Sequence, residues 1–501
     1  MGYTAFLLMV INILSKILGF FREILLSYFY GTGEIVTAFQ ISLLVPYTIL
    51  GFVMSGISIN FIPTYTSLEK REGKATSEKF TSNILNIIFI ISLIATVLAY
   101  IFARQIVFLF AMGYSGEIFE LSVTFTRITI LGMFAQLLNS ILKGYLNIKG
   151  NFVVPGSTGF IYNIVIIIFL IISYKINPIL APIGVAIATI FQYIPYIPAI
   201  RSTGYKHKFI VNFKDENIKR MLVLALPIIF GVAVNQINQL IDKNLASFIS
   251  VRGISVLSYS VKLNEFVWGI LVVSIVTSIF PTLSKLAIES KQKFKVQIAK
   301  TLSTIIYLVT PACVGILIFS KEIVTLIFKR GKFDENDVIL VSGVLFYYAI
   351  GLIGLGIRDV LSNAFYALKM TRIPLINSVE MVILNVIMSI ILSRFMGLNG
   401  LALGSSIATI FGAVNLYIKL EKQIGKIKSK AIVNNGIKVL ISVISMGIIS
   451  KLIFILLNIK LSSNLSFLVA LIFAAITYTI VSVLLRTRQA IDILKVIVKK
   501  F

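Results

Sequence analysis

The sequence has few of the side chains on which most enzyme and metal chemistry depends. Cys313 is the only cysteine and His207 the only histidine among 501 residues. One cysteine cannot form a disulfide framework or a thiolate metal site, and one histidine in a basic loop is a poor basis for a metal centre. Acid–base and nucleophilic catalysis usually needs a histidine or clustered carboxylates, so we expect no enzymatic activity.

Charged residues are also scarce, at 13% of the chain, whereas 58% of the residues are hydrophobic. Apolar runs recur along the whole sequence at about 20 residues, the length that a helix needs to cross a bilayer. We count fourteen of these runs. The first has no small-residue cleavage site after it, so we expect it to be retained. The sequence predicts an all-α integral membrane protein with about 14 transmembrane helices.

The basic residues, which give a formal net charge of +26, cluster in every second loop between the apolar runs. The clusters occupy residues 70–79, 201–220, 285–300 and 419–430. Basic residues in alternate loops follow the positive-inside rule, which places these loops and both termini in the cytoplasm. We therefore expect membrane lipids, and no nucleic acid, as partners.

An internal repeat appears at an offset of about 216 to 220 residues. Phe-Ile-Pro-Thr at 61–64 recurs as Ile-Phe-Pro-Thr at 279–282, Pro155 matches Pro374, and a glycine at 184 matches one at 400. Repeats with an even number of spans share one orientation, an arrangement that usually places a substrate cavity between two lobes that alternate in access. The duplication indicates a transporter without identifying its substrate.

The repeat also predicts the domain organisation. We expect a first six-helix lobe over residues 1–205, a second six-helix lobe over 206–425, and a C-terminal helix pair over 426–501.

Charged side chains inside the spans are candidate site residues, because a bilayer makes them costly. The first span contains Lys16, Arg22 and Glu23, and the eighth contains Lys262 and Glu265, which are three residues apart on one helix face. Basic side chains that face a cavity would attract an anionic head group such as a pyrophosphate. Alternatively, Glu23 and Glu265 neutralise their basic neighbours as local ion pairs.

A second set of polar residues lies in the seventh, eleventh and twelfth spans. Asp242 has amides nearby, Asn385 and Ser389 are four residues apart on one face, and Ser405 and Ser406 follow. Carboxylate, amide and hydroxyl oxygens from separate helices suit a hard cation such as sodium. An interhelical hydrogen-bond cluster, with Asp242 paired to the following lysine, explains the pattern equally well.

Glu380 is a further acidic residue, one to two turns inside the eleventh span. It is suited either to proton coupling or to an ion pair near the cytoplasmic face. We expect the ion pair, with Arg372 or Lys369 as the partner.

Residues 15–23, Ser-Lys-Ile-Leu-Gly-Phe-Phe-Arg-Glu, resemble the first helix of the MurJ (MviN) family of lipid II flippases, which carries Ser-Arg-x-Leu-Gly-x-x-Arg-Asp. The resemblance extends through both predicted lobes, at residues 61–63, 146–147, 236–242, 259–266, 331–333 and 397–405. It implies a multidrug/oligosaccharidyl-lipid/polysaccharide (MOP) exporter fold with a twelve-helix core, two extra C-terminal helices and a central cationic cavity.

The resemblance implies a function and a set of site residues. The function is translocation of lipid II, the undecaprenyl-pyrophosphate-linked peptidoglycan precursor, from the cytoplasmic to the outer leaflet. Lys16 and Arg22 match basic cavity residues of the first helix, and Lys262 and Glu265 match an Arg and a Glu of the eighth. A sodium site known in the family maps to Asp242, Asn385, Ser389, the backbone of Leu401, and Ser405.

Several positions depart from the family pattern. Ser389 stands where an Asp is expected, and Thr37 and Leu50 stand where the second helix usually carries an acidic residue and an Arg. Ser55 replaces the Glu of an Ala-Glu-Gly turn, and lysines at 16 and 262 lack the bidentate fork of Arg. The alternatives are a Wzx-like flippase for another lipid-linked oligosaccharide and a cation-coupled exporter of the same superfamily.

The resemblance implies a multi-pass protein of the bacterial cytoplasmic (inner) membrane. We expect a monomer whose substrate is lipid II, with other cell-wall synthesis proteins as candidate partners. Sodium is the only candidate cofactor.

Overall fold

A computed structural model describes residues 2–427 and 429–498, which form helices joined by short connections and contain no strand within these ranges. The described chain forms two compact units. The first comprises the described residues up to Ser255 together with Arg330–Phe333, and the second comprises Val256–Lys329 and the described residues from Asp334 onward.

The first unit is built from ten helices within the described residues. They are α1 (Gly2–Tyr30), α2 (Glu34–Glu72), α3 (Lys74–Ile101), α4 (Ala103–Phe110), α5 (Glu117–Ile130), α6 (Met133–Ile148), α7 (Val153–Lys175), α8 (Leu180–Phe191), α9 (Tyr196–Arg201) and α10 (Glu216–Ile249).

The second unit contains most of α11 and all later helices of the described ranges. They are α11 (Gly253–Trp268), α12 (Ser274–Glu289), α13 (Lys291–Phe328), α14 (Glu335–Ala367), α15 (Arg372–Met396), α16 (Leu398–Ile424), α17 (Ser429–Asn458), α18 (Ser463–Leu484) and α19 (Arg488–Val498). A single π-helical turn at Gly269–Val273 joins α11 to α12.

Twelve helical segments of the described residues are long and apolar enough to cross a membrane. Helices α1 and α10 add two more of comparable length, at 29 and 34 residues. At a rise of about 1.5 Å per residue, both exceed the hydrocarbon thickness of a bilayer. The described ranges thus hold fourteen long helical segments, and the predicted all-α membrane fold is confirmed.

Helix α2 is the centre of the first unit and packs against α3, α5, α6 and α10. Its apolar side chains Val36, Phe39, Phe61 and Tyr65 are buried in this packing. A Cβ built on Gly144 of α6 would lie 2.8 Å from the Phe61 ring. The absence of a side chain at that position therefore lets α6 approach α2 closely, as small residues do in membrane helix bundles.

Helix α1 packs on α7 in the same way. A Cβ built on Gly159 of α7 would lie 2.5 Å from the Ser15 hydroxyl oxygen, so a larger residue there would displace the Ser15 side chain. This contact brings the charged part of α1 next to α7.

The second unit is held by close contacts of α14 with α13 and α16, and of α15 with α16. The C-terminal helices α17 and α18 pack on each other and on α13, where Tyr478 Oη donates a 2.6 Å hydrogen bond to the Tyr307 carbonyl oxygen. Helix α10, which begins after the predicted lobe boundary at residue 205, packs on α2 within the first unit. The lobe boundaries drawn from the repeat stay a prediction.

Candidate functional site

Arg22 and Glu23 form a buried ion pair on α1. Arg22 Nη2 lies 2.6 Å from Glu23 Oε1, and the two side chains are 14% and 3% exposed. Arg22 Nη1 also donates to Asn163 Oδ1 on α7 at 3.2 Å, and Gln40 Nε2 on α2 donates to Glu23 Oε2 at 3.4 Å. Each charge therefore has its opposite charge and a neutral amide as partners, which makes burial in a membrane helix tolerable.

The Asn163 side chain is fixed by two hydrogen bonds of its own. Its Nδ2 donates to the Gly159 carbonyl oxygen at 2.8 Å and to the Ser15 carbonyl oxygen at 3.3 Å, so its Oδ1 is left to accept from Arg22. The sequence reasoning missed Asn163 and Gln40. An amide within an otherwise apolar span was the available signal, because such groups need a polar partner in the bilayer.

One buried N–H group of Arg22 has no partner among the described residues, and the charge of Lys16 is not neutralised by any of them. The Nε–H of Arg22 is buried and has no hydrogen-bond partner among the described residues. Lys16 is exposed and makes no ion pair with any residue that the structure describes. Since Glu23 neutralises Arg22, this part of α1 keeps the positive charge of Lys16.

Lys262 and Glu265 pair with each other on α11. Lys262 Nζ lies 2.9 Å from Glu265 Oε2, and the side chains are 43% and 50% exposed. An exposed pair of this kind adds little stability and exchanges partners easily. The local ion pairs considered from the sequence are thus present in both helices, in buried form on α1 and in exposed form on α11.

Three predicted sodium ligands lie together on α15 and α16. Asn385 Oδ1 accepts from Ser389 Oγ at 3.1 Å and from Ser405 Oγ at 3.2 Å. Asn385 and Ser389 are buried, and Leu401, in the first turns of α16, is fully buried. A Cβ built on Gly404 would lie 2.9 Å from the Ser389 nitrogen, so the glycine allows the two helices to bring these oxygens together.

Asp242, the fifth predicted ligand, belongs to α10 of the first unit. Its side chain is 9% exposed and accepts a 3.5 Å hydrogen bond from Asn238 Nδ2. Lys243 Nζ donates to the Ile254 carbonyl oxygen at 3.3 Å. Within the described chain, no three His, Cys, Asp or Glu residues are grouped as metal ligands. The second unit nevertheless offers amide and hydroxyl oxygens, whose chemistry fits a hard monovalent cation better than a transition metal.

Glu380 pairs with a residue that the sequence reasoning did not consider. Its carboxylate oxygens lie 3.0 and 2.8 Å from Lys419 Nζ on α16, and Asn415 Nδ2 also donates to it. The prediction that Glu380 forms an ion pair is confirmed, whereas the predicted partners Arg372 and Lys369 are wrong. Because α15 packs on α16, Glu380 contacts Lys419, which is farther along the chain than Arg372 and Lys369.

Two of the positions that depart from the family pattern are buried in α2. Thr37 is fully buried and its Oγ1 donates to the Val251 carbonyl oxygen at 3.2 Å, while Leu50 is 3% exposed. Both therefore pack within the first unit. The side chain of Ser55 lies outside the part of the chain that the structure describes.

Sequence comparisons find related proteins over most of this chain. A family model described as lipid II flippase MurJ matches residues 21–481. A relative named "Probable lipid II flippase MurJ" from Buchnera aphidicola subsp. Baizongia pistaciae is 28% identical over 469 residues, which cover 91% of this chain and 90% of the relative.

Solved structures show the same fold. One described as lipid II flippase MurJ in an inward closed conformation has a TM-score of 0.83 and 27% identity, covering 96% of this chain and 99% of that one. An inward-facing MATE family multidrug resistance transporter of the MOP superfamily has a TM-score of 0.68 over 85% of this chain and 99% of its own. At 16% identity, the second comparison concerns the fold alone.

Proposed function

Because the chain belongs to the MurJ family of lipid II flippases, we propose that it moves lipid II from the cytoplasmic to the outer leaflet of a bacterial cytoplasmic membrane by alternating access. The family match over residues 21–481 is the observation that carries this proposal. The cations of α1 support it, because lipid II presents an anionic pyrophosphate between its lipid and its sugars.

Lys16 and Arg22 are the proposed contacts for the pyrophosphate. Lys16 is exposed and unpaired among the described residues, so it is available to a ligand without loss of an existing ion pair. Arg22 has an unpartnered Nε–H, and a phosphate oxygen would satisfy that donor. Glu23 offsets the charge of Arg22, and this limits the affinity so that the cargo can be released on the other side.

The membrane potential favours this direction of transport. Moving one negative charge outward across a membrane that is negative inside is favourable by about 2.3 kcal/mol per 100 mV. After release, the positive charge of Lys16 is drawn back toward the cytoplasmic side by the same field. The potential therefore acts on both the loaded and the empty protein.

We further propose sodium as a coupling ion, held within the second unit by Asn385, Ser389, Ser405 and the backbone oxygen of Leu401. The contribution of Asp242 stays a prediction. Asn385, Ser389 and Ser405 bring one amide oxygen and two hydroxyl oxygens together, and these oxygen types suit sodium. A bound sodium ion would contribute the energy of its gradient to the cycle. Asn385→Ala should remove the sodium dependence of transport in vesicles, whereas transport driven by an imposed potential alone should persist.

The roles of Lys262 and Glu265 in substrate binding stay a prediction. The change Lys262→Ala tests the role of Lys262 by transport in vesicles. The control is Lys285→Ala, at another exposed lysine that forms an ion pair.

The test of the proposed function is replacement of the flippase in a bacterium depleted of its own. The measurement is the amount of lipid II that an externally added lipid II-cleaving enzyme can reach. The unaltered chain should restore growth and outer-leaflet lipid II. Arg22→Ala and Lys16→Ala should reduce both, and Arg201→Ala, at the exposed last residue of α9, should not. Restored flipping by Arg22→Ala at normal expression would exclude the proposed contact, and failure of the unaltered chain would exclude the function.

We also propose that lipid II crosses without chemical change. The mass of lipid II recovered from vesicles that contain the purified protein should equal the mass supplied. A hydrolysed or glycosylated product would contradict this.

A further inference from the structure

A cationic pocket lies within the second unit, far in sequence from α1. It has a volume of about 300 Å³ and is formed where α13 and α17 begin and α18 ends. Four cationic side chains line it: Lys300, Lys438, Arg486 and Arg488. The lining contains amides and a hydroxyl but no carboxylate.

These four cations have no acidic partner among the described residues, unlike several other cations of the same unit. Lys321 and Lys329 both pair with Glu335, Lys419 pairs with Glu380, and Lys451 pairs with Glu322. None of the four pocket cations forms an ion pair with a residue in the described ranges. Four like charges around one small volume repel one another, so an anion between them lowers the electrostatic free energy.

The pocket wall is held by specific hydrogen bonds. Lys438 Nζ donates to the Arg486 carbonyl oxygen at 3.3 Å, and Asn435 Nδ2 donates to Oε1 of the buried Gln489 at 3.0 Å. Arg486 has a φ of +52°, a left-handed conformation that disfavours any side chain. The connection after α18 therefore keeps an arginine where a glycine would be less strained, and this arginine lines the pocket.

The pocket is formed by helix ends, and the ends of membrane-spanning helices lie at the depth of the lipid head groups. The positive-inside pattern puts the starts of α13 and α17 and the end of α18 on the cytoplasmic side. Helix α19 follows directly, and its sequence has Arg488, Asp492 and Lys495 along one face with apolar residues between them. A short amphipathic helix of this kind lies in the membrane interface.

We propose that this pocket binds the phosphate of an anionic phospholipid from the cytoplasmic leaflet. Basic pockets between membrane helices on the cytoplasmic side suit such head groups, since that leaflet carries the negative surface charge. The site goes beyond the proposed flippase function, because it needs neither lipid II nor the α1 cations. A bound lipid would link α13, α17 and α19 through one head group.

The test uses the purified full chain in detergent or in phosphatidylcholine nanodiscs. Phosphatidylglycerol bound per molecule is measured by native mass spectrometry for the unaltered chain and for Lys438→Gln/Arg486→Gln/Arg488→Gln. We expect binding to the triple variant to weaken about tenfold or more. A matched control, Lys291→Gln/Lys293→Gln/Lys422→Gln, removes three exposed lysines that do not line the pocket and should bind as the unaltered chain does.

The outcomes separate this site from general attraction and from a free-phosphate site. Equal loss of lipid in the two triple variants would overturn the proposal, since diffuse charge would then explain binding. Displacement of the lipid by millimolar inorganic phosphate, or equal binding of phosphatidylcholine, would overturn the assignment to an anionic lipid. If the triple variant does not fold, the single change Arg488→Glu at an exposed position should still reduce phosphatidylglycerol binding, and unchanged binding there would also overturn the proposal.

Discussion

At the scale of single residues, the Arg22–Glu23 pair is costly to bury in a bilayer-spanning helix. Two opposite charges are removed from water on α1, and their mutual attraction must offset the loss of hydration. Asn163 and Gln40 supply the remaining hydrogen bonds from two other helices. The pair therefore ties α1 to both α7 and α2, in addition to its proposed contact with substrate.

Removing one member of this pair should destabilise the protein more than removing both. Glu23→Ala leaves an uncompensated buried guanidinium and should lower the free energy of unfolding by about 3 kcal/mol. Arg22→Ala/Glu23→Ala should lose less than Glu23→Ala, as measured by denaturant titration in detergent. The control Glu265→Ala breaks an exposed pair and should cost less than about 1 kcal/mol. Equal losses for Glu23→Ala and Glu265→Ala would contradict the burial argument.

His207 should make the loop at residues 205–212 sensitive to pH. Its Nε2–H donates to Asn86 Oδ1 at 2.9 Å, so in the neutral ring Nδ1 accepts from Tyr205 Oη at 3.3 Å. Burial lowers the pKa of His207 below its ordinary value of 6.5. A lowered pKa means that the folded state favours the neutral ring, so this stabilisation is present above pH 6.5 and is lost as the pH falls through the lower folded value.

Hydrogen–deuterium exchange of residues 205–212 at pH 7.5 and pH 5 measures this effect. After correction for the intrinsic exchange rate, the loop should be less protected at pH 5. His207→Gln cannot acquire the charge and should show the same protection at both pH values. A pH dependence that survives in His207→Gln would assign the effect to another group.

At the scale of helices, glycines decide which faces pack. A Cβ built on Gly351 of α14 would lie 2.8 Å from Ser406 Cα on α16, whereas one built on Gly315 of α13 would meet no atom within 4 Å. The Gly351 N–H also donates to Ser406 Oγ at 3.0 Å. The same residue type therefore has a packing role at one position and none at the other.

Alanine substitutions at these two glycines should have opposite effects. Gly351→Ala should force α14 and α16 apart and lower the free energy of unfolding by about 1 to 3 kcal/mol. Gly315→Ala should be neutral or stabilising by up to about 1 kcal/mol, because alanine is the better helix former. Denaturant titration of the two variants gives the comparison. A loss at Gly315 as large as that at Gly351 would show that helix flexibility, and not close packing, sets the effect.

At the scale of the whole molecule, function depends on which loops face the cytoplasm. If each long helical segment crosses the membrane once, the sidedness of one loop predicts that of all others. The basic clusters predict that the loop around Phe209 faces the cytoplasm and that the loop after α17 lies outside.

Cysteine labelling in intact cells tests the orientation. Cys313 is 4% exposed and its replacement, Cys313→Ala, gives a background without cysteine. In that background Ile459→Cys, at a residue 78% exposed, should react with a membrane-impermeant maleimide added from outside. Phe209→Cys, at a residue 94% exposed, should react only after the cells are opened. The reverse pattern would invert the topology and the proposed direction of transport.

Much of the site was visible in the sequence because polar groups in apolar spans are conspicuous. Lys16, Arg22 and Glu23 stand out on α1, and the spacing of Lys262 and Glu265 alone predicts their pairing. Partners from other helices were not predictable in the same way. Asn163 beside Arg22 and Lys419 beside Glu380 depend on which helix faces meet, and one-dimensional spacing carries no such information.

The sequence by itself determined the all-α membrane class, the number of long helical segments and the sign of the charges within them. These follow from apolar length and from the cost of exposing backbone or charge to lipid, both of which are local properties. Tertiary structure decided that Glu23 rather than solvent compensates the charge of Arg22, and that Lys16 is left without a partner among the described residues. It also decided that four cations from distant segments surround one pocket. Those outcomes depend on which helix faces meet. Close approaches at glycines such as Gly351, where a built Cβ would lie 2.8 Å from Ser406 Cα, help to set those faces.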